Sequence, residues 1–197
     1  MTVRVEVMTG ESLLACLPEL SLLRIEIFRE FPYLYDGDLA YEQRYLAHYA
    51  SAQDAVIVGA FDGRRLVGAA TGAPLVEQEQ QIWEPCKRLG YDLAHSFYFG
   101  ESVLKPSYRG QGIGVQFFEQ REDHARAVGA SVALFSSVIR ALNHQFRPVG
   151  YKPLDRFWRK RGYAVVDGLI CSLSWKEIGE AKETMKPMQF WMKRLPS

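Results

Sequence analysis

The sequence has little cysteine and almost no net charge, and each shortage argues against a class of protein. Its 197 residues include three cysteines, which are widely spaced and form no CxxC pair. This pattern indicates buried or idle thiols in a reducing compartment rather than a disulfide framework. Lys and Arg number 24 against 23 Asp and Glu, so the net charge is +1. The balance argues against bulk nucleic-acid binding, which needs a basic excess.

Long apolar runs are also missing. No stretch approaches the ~18 consecutive apolar residues of a membrane helix, so no membrane partner is expected. The first residues carry an early acid, Glu6, unlike a signal peptide, and we expect a cytoplasmic protein. The histidines have no ligand spacing with each other or with cysteine, so we expect no metal. The length and ordinary globular composition suit one domain over residues 1–197.

The periodicity of apolar residues predicts a mixed chain. Strands and helices alternate after an antiparallel N-terminal meander, which places the fold in the α+β (mixed α/β) class. A glycine-rich turn at 109–114 leads into a helix that ends near residue 128. The other predicted elements are strands over 2–8, 54–61, 65–71, 95–104, 132–137, 163–175 and 188–195, and helices over 18–30, 39–50, 75–90 and 154–161.

The glycine-rich turn is the most informative motif. Glycines at alternate positions allow backbone N–H groups to point into one concavity, and a helix N-terminus adds partial positive charge. Together they suit a pyrophosphate, which the Arg109 guanidinium would close with a charge-assisted bond. Gly114 lacks the Lys-Ser/Thr of a Walker A loop, and Val115 replaces the last glycine of a dinucleotide fingerprint. The turn reads Arg109-Gly110-Gln111-Gly112-Ile113-Gly114.

This turn resembles the coenzyme A loop of the GCN5-related N-acetyltransferase (GNAT) superfamily, Arg/Gln-x-x-Gly-x-Gly/Ala, with its Pro-x-Tyr-Arg lead-in at 106–109. Asn143 matches the asparagine that the family has after the next strand. Residues 157–163 match the family's aromatic pair followed by Lys-x-Gly-aromatic. The element order matches over nearly the whole chain. The resemblance implies a central, mostly antiparallel twisted sheet of about seven strands with a splayed pair, flanked by helices.

The same resemblance implies acetyl-CoA as donor, without a metal, and an amine as acceptor. The strand before the loop would pair with the pantetheine arm, and the Leu104 N–H would stabilise the oxyanion. The residues it assigns to coenzyme binding are Val103, Leu104, Lys105, Arg109, Gly110, Gln111, Gly112, Ile113, Gly114 and Asn143.

Acid–base residues are less clear. Glu101 lies in an aromatic strand where family members often place an acid, and it is our candidate base; a solvated or ion-paired strand glutamate is the alternative. Trp158 stands where the family often has a tyrosine that protonates the leaving thiolate, and an indole is no useful acid. Either Tyr151 serves as the acid, or the thiolate leaves without one.

For the acceptor, the loop residues Tyr33, Tyr35 and Asp36 suit a cationic amine, because exposed aromatics beside an acid bind cations. We therefore expect a primary amine as acceptor. The tyrosine-rich loop suggests an enclosed pocket and favours a small molecule, while protein N-termini and lysines stay open. The amine would attack directly through a tetrahedral intermediate, because no nucleophile for a covalent adduct is evident. The alternative is a catalytically silent CoA-binding module, suggested by Trp158. The apolar last strand either completes the sheet or is exchanged between subunits, so a homodimer stays open.

Overall fold

The structure, a computed structural model, describes residues 3–196. An open sheet runs through this range and carries helices on both faces. None of the helices described there is long and apolar enough to cross a membrane. The helices are α1 (Gly10–Phe28), α2 (Leu39–Ser51), α3 (Gln80–Arg88), α4 (Ile113–Ala127) and α5 (Asp155–Lys160), with short 3-10 turns at Leu75–Glu77 and Pro106–Tyr108.

The sheet has eight strands and is mostly antiparallel. Its order is β1-β2-β3-β4-β6-β8-β7, and β5 also pairs with β3. The β4–β6 pair is parallel, and α4 supplies its crossover. The predicted fold class is confirmed. The strands are β1 (Arg4–Met8), β2 (Val56–Asp62), β3 (Arg65–Pro74), β4 (Ser96–Tyr98), β5 (Ser102–Leu104), β6 (Val132–Val138), β7 (Ala164–Trp175) and β8 (Thr184–Arg194).

The predicted strand over 95–104 is two strands, which is why the sheet has eight rather than seven. Both halves pair with β3, but the chain is irregular between them. The Gly100 N–H donates to Thr71 O, and the Thr71 N–H donates to Glu101 O. Thr71 therefore faces two residues at once, as in a β-bulge. A Cβ on Gly100 would lie 2.4 Å from the Tyr49 hydroxyl, so a bare backbone is needed here.

Helix α1 starts at Gly10, eight residues before the predicted start at Pro18. The prediction was wrong because a proline was read as a first-turn residue. Pro18 is exposed, so water can satisfy the carbonyl that its missing N–H leaves free. Leu20 and Leu23 on the opposite side are fully buried and anchor the helix to the sheet. Tertiary packing outweighs the local penalty.

The remaining boundaries shift by a few residues. The predicted helix over 75–90 is a 3-10 turn followed by α3. The last strand, β8, begins at Thr184 rather than 188 and lies between β6 and β7, so it completes the sheet within the chain. Residues 1, 2 and 197, which the first strand and the single-domain range include, lie outside the described residues.

The two sheet faces are covered by different helices. On one face, Phe117 and Phe118 of α4 pack with Phe135 of β6 and with the aromatic residues of α5. On the other face, α1 and α2 cover the N-terminal strands, and α3 covers the C-terminal strands. A residue at the centre of the sheet therefore faces either α4 or the α1–α2 layer.

Candidate active site

The sheet opens between β5 and β6. β4 pairs with β6 as far as Tyr98–Leu134, and the Phe99 N–H donates to Leu134 O. Beyond the bulge, β5 pairs only with β3. The gap therefore begins beside Gly100, and it corresponds to the splayed pair that the family resemblance implies.

Backbone direction decides which β5 groups face the gap. Glu101 O and the Lys105 N–H are bonded to β3. Because antiparallel pairing alternates sides, Val103 also faces β3, whereas Ser102 and Leu104 face the gap. Three successive residues cannot all present their amides to one side. Of the predicted pantetheine partners, Leu104 is oriented toward the gap, Val103 and Lys105 are not, and the sequence reasoning missed Ser102.

The glycine-rich turn forms the N-terminus of α4, at the mouth of this gap. Gly110 and Gly112 have left-handed φ values of 79° and 84°. A Cβ built on either would meet nothing within 4 Å, so both face open space. Gly112 is the N-cap, and no side chain caps the helix. The first amides of α4 are therefore available to an anion, and the residues fit a diphosphate.

Arg109, which the resemblance assigns to coenzyme binding, is held by groups of the chain itself. Its Nε donates to Leu104 O at 3.1 Å, and its Nη2 lies 2.9 Å from Glu30 Oε2. The guanidinium thus joins the end of β5 to the end of α1 and does not close the turn. Gln111 caps its own turn by donating to Ser107 O, and Gly114 packs beside Phe157. The anion cradle rests on backbone amides.

Glu101 lies in the bulge and faces the α1–α2 layer. Its side chain is 6% exposed and pairs with the Arg24 guanidinium of α1. The Tyr45 hydroxyl of α2 donates to Glu101 Oε2 at 2.8 Å. Arg24 also pairs with Glu42, whose side chain is 1% exposed. Of the two alternatives for Glu101, a free base or a solvated or ion-paired glutamate, the ion pair is present in the structure.

The charged groups raise or lower one another's proton affinity. Burial alone would lower the pKa of Arg24, but the carboxylates of Glu101 and Glu42 raise it well above its usual value. Burial and the nearby Glu101 carboxylate raise the pKa of Tyr45 well above its usual value. Arg24 is therefore a permanent cation, and Tyr45 a permanent hydrogen-bond donor.

Arg121 of α4 holds the bulge from the opposite face. It is 1% exposed. Its Nη1 donates to Thr71 O at 3.0 Å and to Glu101 O at 3.1 Å, and its Nη2 donates to Ser102 Oγ at 2.8 Å. Burial lowers its pKa to about 10, which leaves it protonated at neutral pH. The guanidinium gives the Thr71 and Glu101 carbonyls a second, charged donor beside the backbone N–H groups that they already accept.

The acceptor loop is less exposed than the sequence predicted. Tyr33 packs between Phe28 and Trp175, and burial raises its pKa to about 12. Tyr35 is half-buried, and burial and Glu42 raise its pKa. These tyrosines hold the loop in place, so the prediction that they are exposed was wrong.

Asp36 is already paired with cations of the chain. Lys176 Nζ lies 2.9 Å from Asp36 Oδ2, and Arg29 Nη1 lies 3.5 Å from Oδ1. The hydrogen bond and charge of Lys176 hold the pKa of Asp36 below its usual range. An incoming amine would have to displace these partners, which weakens the predicted role in acceptor binding.

The segment between β6 and α5 carries the remaining predicted residues. Asn143 is exposed. The Tyr151 ring packs edge-on against Phe31, with centroids 4.7 Å apart, and burial raises its pKa. Trp158 packs against Phe135 and Trp191, and so fills core space where a tyrosine acid would stand. Tyr151 keeps its proton at neutral pH, as an acid must.

The cysteines agree with the idle-thiol interpretation. Cys86 and Cys171 are buried, which raises their pKa values to about 11 and about 12, and Cys16 is half-buried. None of the three is a thiolate at neutral pH. Over residues 3–196, no group of three or more His, Cys, Asp or Glu side chains is arranged to hold a metal ion.

The sequence matches the acetyltransferase (GNAT) family over residues 22–163, and the chain belongs to that family. The family prediction is confirmed. No match was found among curated protein sequences.

Solved structures share the fold at low identity. Ribosomal-protein-alanine N-acetyltransferase from Brucella melitensis is 16% identical, with a TM-score of 0.64, over 99% of this chain and 100% of its own. The Salmonella typhimurium protein yncA, solved with its cofactor acetyl-CoA, is 11% identical with a TM-score of 0.63 over 100% of this chain and 96% of its own. An aminoglycoside 6'-N-acetyltransferase in complex with coenzyme A is 15% identical with a TM-score of 0.57 over 100% and 98%.

Proposed function

We propose that the protein is an acetyl-CoA-dependent N-acetyltransferase whose acceptor is a primary amine of a small molecule. One observation carries the proposal: the uncapped amides of α4, behind glycines that face open space, lie at the mouth of the gap in the sheet. Anion site and strand gap together match a ligand with a diphosphate at one end and an amide-bearing arm at the other. Structural neighbours solved with acetyl-CoA or coenzyme A support this choice of ligand.

The donor would bind in two parts. Its diphosphate would accept hydrogen bonds from the backbone of residues 110–114, where the helix dipole also favours negative charge. Its pantetheine amides would pair with the gap-facing groups of Ser102 and Leu104, as an added strand. The thioester oxygen would then lie near the Leu104 N–H. One such donor is worth about 10²–10³ in rate.

Acetyl transfer then requires that the acceptor amine lose a proton and that the leaving thiolate gain one. Glu101 takes a proton from the acceptor's ammonium, and the freed nitrogen lone pair attacks the thioester carbon. The tetrahedral intermediate, stabilised by the Leu104 N–H, collapses with cleavage of the C–S bond. Tyr151 is our candidate to protonate the leaving thiolate, because its phenol is protonated at neutral pH.

A small acceptor is favoured by the way the loops around the gap are tied together. Arg140, which follows β6, donates to Pro32 O at 2.7 Å and to Tyr33 O at 3.2 Å. It also pairs with Glu177 beyond β7. Phe31 and Tyr151 pack across the same two loops. These contacts favour an enclosed approach over the open groove that a long peptide needs.

Thiol release tests the proposal. The protein is mixed with acetyl-CoA and a panel of amines, peptides and aminoglycosides, and free thiol is titrated. We expect amine-dependent thiol release and a product heavier by one acetyl group. Glu101→Gln should lower kcat and flatten the acid limb of the pH–rate profile, and Tyr151→Phe should lower kcat alone. Tight binding of acetyl-CoA by calorimetry with no turnover across the panel would instead establish the silent CoA-binding module.

A further inference from the structure

Arg24 stands between two buried carboxylates. The Arg24 side chain projects from α1 and pairs with Glu42 of α2 through Nε and with Glu101 of the bulge through Nη1. The three side chains are 8%, 1% and 6% exposed, respectively. Its guanidinium also lies over the Tyr45 ring, 4.2 Å from the centroid. Neither Arg24 nor Glu42 was singled out by the sequence, because their partners lie on other elements.

The charges in this triad do not balance. Two carboxylates share the Arg24 guanidinium, and the second buried cation beside them, Arg121, bonds to backbone carbonyls and Ser102 rather than to either carboxylate. The Glu42 carboxylate is 1% exposed and faces the Tyr35 phenol, whose pKa is raised by burial and by this carboxylate. An uncompensated buried charge is costly. Such an arrangement is relieved when one carboxylate gains a proton, and a group that gains stability on protonation is suited to act as a base.

Other groups around Glu101 keep one protonation state near neutral pH. From α2, Tyr49 faces it with a pKa raised to about 12 by burial, and Tyr45 has a pKa well above its usual value. From the loop after α1, Tyr33 has a pKa raised to about 12. From α4, Arg121 donates to Glu101 O and remains a cation. These groups therefore donate hydrogen bonds or carry positive charge, and none of them takes up the substrate's proton.

We propose that Arg24 and Glu42 are positioning residues that set the proton affinity of Glu101 for amine deprotonation. In the resting protein, Arg24 is shared between the two carboxylates. When the ammonium N–H bond breaks, its proton forms an O–H bond on Glu101, its electron pair stays on nitrogen for the attack, and Arg24 remains paired with Glu42. Glu42 is thus the counter-ion that allows Glu101 to become neutral without leaving Arg24 unpaired. This inference rests on the proposed function.

The two positioning residues should shift Glu101 in opposite directions. Glu42→Gln removes the competing carboxylate, so Arg24 acts on Glu101 alone and lowers its pKa. Arg24→Met removes the cation and leaves two carboxylates facing each other, which raises the pKa of Glu101. An opposite charge within ~4–6 Å of a carboxyl group typically changes its pKa by about 1–3. The acid limb of kcat/KM should move to lower pH in Glu42→Gln and to higher pH in Arg24→Met.

A second readout needs no turnover. Carbon-13 NMR follows the Glu101 carboxyl carbon, assigned with Glu101→Gln, through a pH titration of the acceptor-free protein. Glu122→Gln is the matched control, because Glu122 is a buried α4 carboxylate bonded to Lys193 and Tyr163. Glu122→Gln should lower the thermal stability of the protein but leave both the Glu101 NMR titration and the acid limb of kcat/KM unchanged. Thermal unfolding shows which variants are folded; if Arg24→Met is not, the isosteric Glu42→Gln decides alone.

The outcomes separate this inference from the proposed function. Opposite shifts in the two variants support the positioning roles. Shifts of the same sign, or a folded Glu42→Gln that titrates like wild type, overturn them even if the enzyme is active. If wild type releases no thiol with any amine, the proposed function fails, and the base role of Glu101 fails with it. In that case, the direction of the Glu101 shifts measured by carbon-13 NMR still decides whether Arg24 and Glu42 control the proton affinity of Glu101.

Discussion

Replacing Gly112 by alanine should separate the anion site from the stability of the fold. Gly112 has φ 84°, and its missing Cβ faces open space at the start of α4. A left-handed conformation costs a non-glycine residue about 1–2 kcal/mol. For a chain of this size, 1 kcal/mol lowers Tm by about 2–4 °C, so the Gly112→Ala Tm should fall by about 2–8 °C.

Acetyl-CoA binding should weaken by more than this strain explains. The new methyl group would project into the space assigned to the diphosphate and hold at least one phosphate oxygen off the helix amides. A hydrogen bond to a charged group is worth about 1.5–3 kcal/mol. With tenfold in Kd for each 1.4 kcal/mol, calorimetry should show Kd raised by about 10- to 100-fold.

The opposite end of the same helix provides the control. Gly129 follows α4 with φ 87°, and a Cβ there would also meet nothing within 4 Å. Gly129→Ala should therefore show a similar fall in Tm, while its Kd for acetyl-CoA stays within twofold of wild type. Equal weakening in both variants, or none in Gly112→Ala, would refute the assignment of the diphosphate to this turn.

Three further predictions concern the bulge and the β7–β8 turn. Arg121→Met removes three buried hydrogen bonds from a charged donor, to Thr71 O, Glu101 O and Ser102 Oγ, and should lower the free energy of unfolding by at least about 3 kcal/mol in a denaturant titration, since a hydrogen bond to a charged group is worth about 1.5–3 kcal/mol; an unchanged midpoint would contradict this. Gly100→Ala places a methyl against the Tyr49 hydroxyl and should cost about 1–3 kcal/mol by overpacking in the same titration. Bonds from the Glu177 N–H and the Lys186 ammonium lower the pKa of Glu180 to about 2. Because this carboxyl binds its proton less readily when folded, its stabilisation is present above about pH 4.5 and is lost toward pH 2; Glu180→Gln should flatten that part of a stability–pH curve, and an unchanged slope would contradict it.

The sequence was sufficient where a local pattern determines the structure. Three glycines in six residues predict a helix start with free amides, and Gly110 and Gly112 adopt the left-handed conformation that makes the pattern necessary. Alternation predicts the strands, and their order predicts the fold class. These features depend on neighbours in the chain, which sequence periodicity reports directly.

Long-range partners could not be predicted. The Glu101 partners come from α1 and α2, and Arg121 reaches the bulge from another face of the sheet. Asp36 was predicted to bind an amine, but Lys176 from beyond β7 already neutralises it. The one local sign of the bulge was Gly100 within an otherwise large-residue strand, since a glycine inside a strand often marks a bulge.

In the proposed reaction, the bulge would separate the two substrates, with one on each face of the sheet. Glu101 points toward the α1–α2 layer, whereas α4 and its glycine turn stand behind the opposite face. Donor and acceptor would approach from opposite faces of the sheet and meet only at the gap between β5 and β6. Neither then blocks the other's path, so initial-rate patterns should be those of a ternary complex with no compulsory order of entry.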